Sequence, residues 1–405
     1  MTERMTAPYY DPYDADIDAN PHPTWRRLRD EAPLYYNEQY DFYALSRYED
    51  VLAASLEWQT YSSARGTVLE MIDTSPALDG LSPYGTKMMI FLDPPPHDEL
   101  RKLVSRAFTP RRVSALEDRT RELCRELLAA QAGGNGFDYL DDFAARIPVM
   151  LISALLGIPK EDQNQLRIWA DLMLRYEPEG MSSEKLEGLR SLNEYMGNFV
   201  RERQERPQDD MVSDLLTSEI TLEDGTRRKL DFEEVMAFFT LLQVAGSETT
   251  ARLLGWAAVL LARHPDQREK LIADRELIGN AVEELLRFEA PSPIQARYVT
   301  RDVEWHGQTV PARSKIALLT GSAGRDERQY PNADDFDVER QFDRHVSFGY
   351  GIHFCLGANL ARLEGRIVLD ETLAHFPAWE VDESKVEFVR TTTVRGPARV
   401  PITLP

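Results

Sequence analysis

Apolar residues recur at three- and four-residue spacing over most of this chain and alternate in twos only over short, scattered stretches. The first pattern predicts amphipathic helices over 23–31, 46–55, 97–108, 114–130, 147–156, 160–175, 183–203, 209–218 and 276–288. A longer apolar helix is expected behind Asp231, a helix-capping residue, running to about Arg263, and another from Cys355 to about His375. Alternating stretches predict paired strands at 34–36 and 42–45, a hairpin over 220–230 around Asp224-Gly225, and β structure over 298–317, with short strands closing the chain. Residues 65–87 carry five glycines or prolines and little periodicity, which reads as a long loop of the kind that forms lids or binding loops. There is no internal repeat and no long Gly/Ser linker, so the expectation is one domain over 1–405, mainly α with a smaller β portion gathered from distant pieces.

Composition narrows the function classes. The 405 residues are 42% hydrophobic and 28% charged, ordinary globular values that allow a large core and an enclosed cavity. The net charge of -21 argues against nucleic-acid binding, because phosphate is repelled on average. No polybasic cluster suits anionic lipid, and no apolar run reaches the roughly 18 residues of a membrane span. The first 18 residues are rich in Asp, Tyr and Pro and lack the form of a signal peptide, so a cytoplasmic protein is expected. Two cysteines, Cys124 and Cys355, make neither a disulfide framework nor a four-cysteine metal site.

The chemistry concentrates in Phe348-Gly349-Tyr350-Gly351-Ile352-His353-Phe354-Cys355-Leu356-Gly357. A lone cysteine before a helix is most often buried packing, and Cys124, on an amphipathic helix, is expected to be just that. Cys355 has a different frame. A metal-bound thiolate needs hydrogen-bond donors and protection from water. Gly349 and Gly351 permit a tight loop, a helix starting at Leu356 would point N–H groups at the sulfur, Phe348 would shield it, and Gly357 clears room for a flat ligand.

This stretch resembles the haem-binding loop of cytochromes P450, whose pattern in soluble bacterial members is Phe-Gly-x-Gly-x-His-x-Cys-x-Gly; every specified position matches. The resemblance spans nearly the whole chain, from about Asn20. It implies the cytochrome P450 fold, a triangular prism with haem between the long central helix and the cysteine loop and helix. It implies haem b (iron protoporphyrin IX) with Cys355 as the axial metal ligand; thiolate ligation favours O–O cleavage. Ala245-Gly246-Ser247-Glu248-Thr249-Thr250 is similar to the family's oxygen-activation motif. Small Ala245 and Gly246 would let a flat cofactor and O2 lie against the helix, and Glu248 and Thr249 would deliver protons to reduced oxygen. By itself that run reads equally well as a helix kink with hydroxyls bonded back to carbonyls.

His97, Arg101, Arg297 and His353 are similar to the family's ligands of the haem propionates, and arginine suits carboxylate. Glu284 and Arg287 with Arg340 match a structural triad of the family; the bland reading of Glu284–Arg287 is a solvated helix pair. The resemblance places Met88, Met89, Phe238, Leu242, Ala245, Ile294, Gln295 and Thr392 at the substrate pocket, a largely apolar set that favours a lipophilic small molecule. The implied activity is a monooxygenase that hydroxylates a C–H bond of a steroid, fatty acid, terpene or aromatic compound. Dealkylation, epoxidation or oxidative coupling would use the same residues, and a non-catalytic haem sensor is the alternative of another class. The chain carries no flavin, nicotinamide or iron–sulfur motif, so NAD(P)H-derived electrons are expected from a separate ferredoxin and ferredoxin reductase. Arg101, Arg111, Arg112, Arg344 and Arg362 are candidates for the docking charge, and the protein is expected to be a monomer.

Overall fold

A computed structural model describes residues 7–72, 74, 88–106, 108–174, 182–222, 224–389, 391 and 393–405, without the side chains of residues 170, 171, 173 and 174. The chain divides into two compact units, and neither is a continuous piece. The first comprises Met1–Gly85, Leu286–Phe336 and Gln341–Cys355; the second comprises Thr86–Leu285, Asp337–Arg340 and Leu356–Pro405.

The first unit is built on a five-stranded sheet in the order Leu34–Asn37, Phe42–Leu45, Lys315–Leu318, Gln295–Val299, Tyr61–Ser62. All neighbours are antiparallel except Phe42–Leu45 with Lys315–Leu318, which run parallel. Because successive side chains of a strand point to opposite faces, register sorts the core into two. Leu34, Leu45, Ile316, Leu318 and Val299 face one cluster with Tyr48 and Val51 of the helix Tyr48–Leu56. Tyr35, Phe42, Ala44, Ala317 and Ala296 face the other with Trp25 and Leu28 of the helix His22–Glu31. Both faces are buried, which explains why 42–45 is continuously apolar while still pairing in a hairpin.

In the second unit the helix Phe232–Arg263 runs 32 residues, about 48 Å at 1.5 Å per residue. Its start is specified by a reciprocal cap: Asp231 accepts from the Glu234 N–H, and Glu234 accepts from the Asp231 N–H, both at 2.9 Å. Arg228, on the hairpin strand Arg227–Lys229, grips the same Glu234 through two bonds of 2.6 Å. Helices Arg146–Leu156, Gln163–Leu174, Ser183–Glu205 and Ala358–His375 pack around the long helix. At Gly246 the approach is close enough that an added Cβ would stand 2.8 Å from Ile152 Cδ1.

The predicted elements are present among the described residues, and further ones join them, including helices Ala15–Ala19 and Pro265–Ala273 and strands Tyr61–Ser62 and Gly136–Asp138. The helix expected over 114–130 spans Glu117–Ala129, and a separate short helix, Pro110–Ser114, capped by Thr109 and opened by Pro110, precedes it. The final helix begins at Ala358, not Leu356. The strand Tyr61–Ser62 was not visible as a pattern; two residues are too few for alternation. Most of the expected 65–87 loop lies outside the described residues.

Helices Glu117–Ala129 and Ala358–His375 are tied by charge. Arg121 donates to Asp370 at 2.6 Å and Glu371 at 3.0 Å, Arg125 makes two bonds of 2.9 Å to Glu371, and Arg366 donates to Glu117 at 2.8 Å. Burial alone would push the Glu371 carboxyl up, but the bonds from Arg125 and Arg121 outweigh it and hold the carboxyl below its ordinary range. A carboxyl depressed in the folded state stabilises above its unfolded pKa of about 4.3 and loses that stabilisation as pH falls through the folded value. Glu371→Gln is therefore expected to cost about 1–3 kcal/mol at pH 7, with the gap from wild type closing below about pH 4. Denaturant titration of both proteins across pH checks it; a gap independent of pH would contradict the charge assignment.

Candidate functional site

In the first unit, the turn through Cys355 is held at several points. The Ser347 hydroxyl donates to the Leu286 carbonyl at 2.6 Å, and the Gly349 N–H donates to the Val346 carbonyl at 2.9 Å. Gly349 and Gly351 both adopt φ +68°, the left-handed region that glycine enters without strain. At Gly351 space reinforces conformation, since an added Cβ would lie 2.5 Å from the Ser55 carbonyl oxygen. A single 3₁₀ turn, Gly351–His353, returns the chain so that the Cys355 N–H donates to the Phe348 carbonyl at 2.9 Å. The Phe348 ring packs on His345 and edge-on to Phe354, at 5.6 and 6.2 Å between centroids.

Cys355 thus sits on a closed loop ahead of a helix, not in its first turn. The sequence expectation of a helix from Leu356 is corrected by the turn through Gly357, and the Cys355 amide is used within the loop. Its side chain is half-buried, whereas Cys124 is fully buried. Burial pushes the Cys124 thiol up to about 12, with Glu371 and Glu364 adding to the shift, so it stays protonated packing. Beside the loop, Arg297 on the strand Gln295–Val299 is 7% exposed. It donates to the Ala296 carbonyl at 2.7 Å and to Gln295 Oε1 at 3.2 Å, and the Gln295 amide approaches Gly349. His353 and Ile294 are half-buried.

The second unit carries the other predicted residues. His97 is buried in the first turn of Pro96–Val104, with Nδ1 2.9 Å from Asp98 Oδ1, and Arg101 follows one turn later. On the long helix, Phe238, Leu242, Ala245 and Thr249 fall on one stripe by their 4, 3 and 4 spacing. Phe238 and Leu242 are buried there, Ala245 is exposed, and Thr249 is half-buried. The Thr249 hydroxyl donates to the Ala245 carbonyl at 2.9 Å, the back-bonded arrangement that was one of the two sequence readings. A hydroxyl bonded this way keeps acceptor capacity toward the stripe. Glu248, 6% exposed, receives the Arg252 guanidinium at 3.2 Å. Met88 is half-buried and Met89 buried, while Thr392 lies outside the described residues.

Two of the three expected triad residues, Glu284 and Arg340, are in direct contact. Glu284 Oε1 accepts from Arg340 Nε at 3.2 Å and from the Asp337 N–H at 3.0 Å, anchoring the segment Asp337–Arg340 within the second unit. Arg287, in the first, donates to the carbonyls of Gly324 and Ala333 at 2.7 and 2.8 Å. Of the arginines expected to give docking charge, Arg362 is paired with Glu283 through bonds of 2.7 and 2.9 Å, and Arg112 lies 3.5 Å from Asp214, so their charge is largely compensated. Arg111 and Arg344 are exposed.

Sequence reasoning missed two buried groups on these helices. Arg252 was legible as the i+4 partner of Glu248. Glu364 was not, because nothing in a helical repeat marks one acid as buried. It is fully buried on Ala358–His375; neither oxygen has a well-formed hydrogen bond among the described residues. Burial pushes its carboxyl up to about 8, with Thr250 opposing.

The residues fit a haem. The half-buried Cys355 thiol on a closed loop would hold the iron, and an added Cβ at Gly357 would meet nothing within 4 Å, leaving room for a flat group. Ala245 is exposed on the long helix, the buried Arg297 guanidinium is a cationic donor for a carboxylate, and buried His97 offers a ring nitrogen.

Known proteins point the same way. The profile of the family described as Cytochrome P450 matches residues 40–400. Cytochrome P450 130 of Mycobacterium tuberculosis is 37% identical over 394 residues, 96% of each chain. Vitamin D(3) 25-hydroxylase of Pseudonocardia autotrophica is 37% identical, covering 98% of this chain and 96% of its own. The structure of CYP109E1 from Bacillus megaterium in complex with testosterone superposes with a TM-score of 0.84 at 30% identity, over 96% of this chain and 98% of that one.

A carboxyl raised in the fold binds a proton that the unfolded chain has lost, so Glu364 should make the protein less stable as pH rises from about 4.5 to about 8. Glu364→Gln keeps the shape without the charge. It is expected to be more stable than wild type at pH 8, by up to ~4 kcal/mol, and equal to it near pH 4. Melting curves across that range check it, and a glutamine variant less stable at every pH would refute it.

Proposed function

The chain belongs to the cytochrome P450 family, and we propose that it hydroxylates a lipophilic small molecule at a C–H bond, using Cys355 as iron ligand and electrons from a separate ferredoxin. Membership makes it a haem-dependent oxidoreductase of the monooxygenase kind. The observation that carries the residue assignments is the turn at 348–355, where two left-handed glycines and the Cys355-to-Phe348 hydrogen bond hold one half-buried thiol. Bound there, haem supplies the binding and reductive activation of O2, tuned by thiolate.

The remaining tasks fall to the chain's own side chains. His97, Arg101, Arg297 and His353 bind the propionates. Gly357 and Ala245 would leave room for a flat group, whereas Gly246, expected to do the same, faces Ile152 and serves helix packing instead. Thr249 holds a hydrogen-bonding site beside the helix while Glu248 brings protons from solvent. Phe238, Leu242, Met88, Met89, Ile294, Gln295 and Thr392 belong to the substrate pocket; its apolar majority selects lipophiles and excludes water. Steroid-like compounds are the first to screen, given the relative that hydroxylates vitamin D3 and the neighbour that binds testosterone. Fatty acids, terpenes and aromatics follow, and dealkylation, epoxidation and oxidative coupling remain outcomes of the same residues.

The whole chain acts as one domain in this reading, since the backbone passes between its two compact units five times and neither can be cut out as one piece. No helix among the described residues is long and apolar enough to cross a membrane. We place the protein in the cytoplasm as a monomer that meets its ferredoxin through exposed charges such as Arg111 and Arg344.

The reduced protein with carbon monoxide is expected to show the strongly red-shifted Soret band of thiolate-ligated haem, and Cys355→His to lose it while retaining haem. A wild-type band typical of histidine ligation would overturn the Cys355 assignment. Glu248→Gln should keep the band and slow oxygen-dependent turnover by roughly 10²-fold. Unchanged turnover would remove Glu248 from the proton path.

A further inference from the structure

Arg252 lies one turn beyond Glu248 and is 6% exposed. Besides its bond to Glu248, its Nη1 donates to the backbone carbonyl of Pro397, and its Nε has no acceptor among the described residues. That carbonyl opens the strand Pro397–Arg399, which pairs with Glu387–Phe388 across the C-terminal hairpin. Three further contacts seat the base of this hairpin on the long helix. Gly396, at φ +155°, lays bare backbone on the helix: an added Cβ would stand 2.8 Å from Arg252 Cβ and 3.0 Å from Trp256 Nε1. The Arg395 guanidinium stands 5.1 Å over the Trp256 ring. Phe388, on the opposite strand, packs 5.5 Å from the same ring.

A guanidinium has five donors and no acceptor capacity. Buried with one carboxylate and one neutral carbonyl, Arg252 would be left with an uncompensated charge if Glu248 departed, a costly state. Arg252 therefore holds Glu248 for as long as Arg252 itself stays in place. What keeps it in place is the backbone at 396–397, which contacts its stem at one end and its head at the other. A proton carrier has the opposite requirement, because its carboxylate must be able to turn between donor and acceptor. An adjustable grip satisfies both.

We propose that Arg252 is a positioning residue whose hold on Glu248 is set by the backbone at 395–397, so that a small shift of the hairpin base releases the carboxylate for proton transfer. This rests on the reading of Glu248 as the proton carrier. It predicts that proton supply can be altered from Gly396, whose nearest neighbours are Arg252 and Trp256.

The test uses haem-loaded protein without substrate, reduced by dithionite, freed of excess reductant and mixed with air-saturated buffer. Absorption follows reoxidation, and peroxide is assayed. Amide exchange of residues 394–399 is measured by mass spectrometry on the same samples. Arg252→Gln and Gly396→Ala are each expected to reoxidise about five- to tenfold faster and release more peroxide, with at least threefold faster exchange at 394–399. Adding Glu248→Gln to either should return reoxidation to the slow rate while leaving exchange fast. A merely structural role for Arg252 would not make the acceleration depend on Glu248. Arg252→Lys, which keeps the charge, should fall between wild type and Arg252→Gln, and it stands in if the glutamine variant does not fold. Wild-type reoxidation in both Gly396→Ala and the Arg252 variant would overturn the proposal, as would acceleration that survives Glu248→Gln. Those results leave the carrier reading intact provided Glu248→Gln alone slows turnover. If Glu248→Gln alone has no effect on turnover, the carrier reading fails and the proposal falls with it.

Discussion

The turn from Phe348 to Cys355 closes only because the chain can enter the left-handed region twice, at Gly349 and Gly351. Any side chain at 351 would also collide with the Ser55 carbonyl. The hydrogen bond from Cys355 back to Phe348 is the product of that geometry, and it fixes where the thiol points. The surrounding structure supports this one turn. The sheet brings Arg297 and Gln295 beside it, the rings of His345 and Phe354 brace Phe348, and Ser347 pins its start to the Leu286 carbonyl. A metal ligand on a loose loop would sample many positions, and a fixed one must have its rotamer decided by packing.

The long helix solves a different problem, that of keeping charge inside the protein without losing control of it. Three acids on or against the helices of the second unit are treated in three ways. Glu371 is neutralised by two arginines and stays ionised. Glu364 has no cation beside it among the described residues and is pushed toward the protonated form. Glu248 is held, among the described residues, by Arg252, whose other bond goes to a backbone carbonyl. The gradation matches the proposed roles: a strut benefits from permanent charge, and the proposed proton carrier from a partner that can let go. The same balance explains why Glu248 and Thr249, adjacent in sequence, take different surroundings. Residues one apart on a helix point about 100° apart, so one enters the core and the other borders the exposed stripe.

Much of this was legible beforehand because it is local. The capped start at Asp231, the hairpin at Asp224-Gly225 and the helix at 147–156 follow from spacing and turn chemistry over a few residues. The cysteine loop was legible for a related reason: glycine at 349 and 351 is a backbone requirement written directly as residue type. The start of the last helix was misjudged by two residues because the turn at Gly357 depends on where the Cys355 amide is used, a contact with Phe348 that spacing does not reveal. The pairing of Arg362 was not legible for a like reason. Its partner, Glu283, lies 79 positions away, and only folding brings them to 2.7 Å.

The sequence by itself determined the mainly helical class, the cysteine frame, the acid–alcohol run and, through them, the family. Each is a short pattern whose physical cause acts within a few residues. Only the tertiary structure decided which acids are buried, which arginines are already spent, and that Arg252 reaches Pro397. Burial and pairing between distant residues depend on how the elements pack, and packing is a property of the whole chain that no local repeat encodes. The two sheet faces show both sides of that division. Alternation marked the strands, but that both faces would be covered, by Trp25 and Leu28 on one and Tyr48 and Val51 on the other, was settled by the helices that came to lie there.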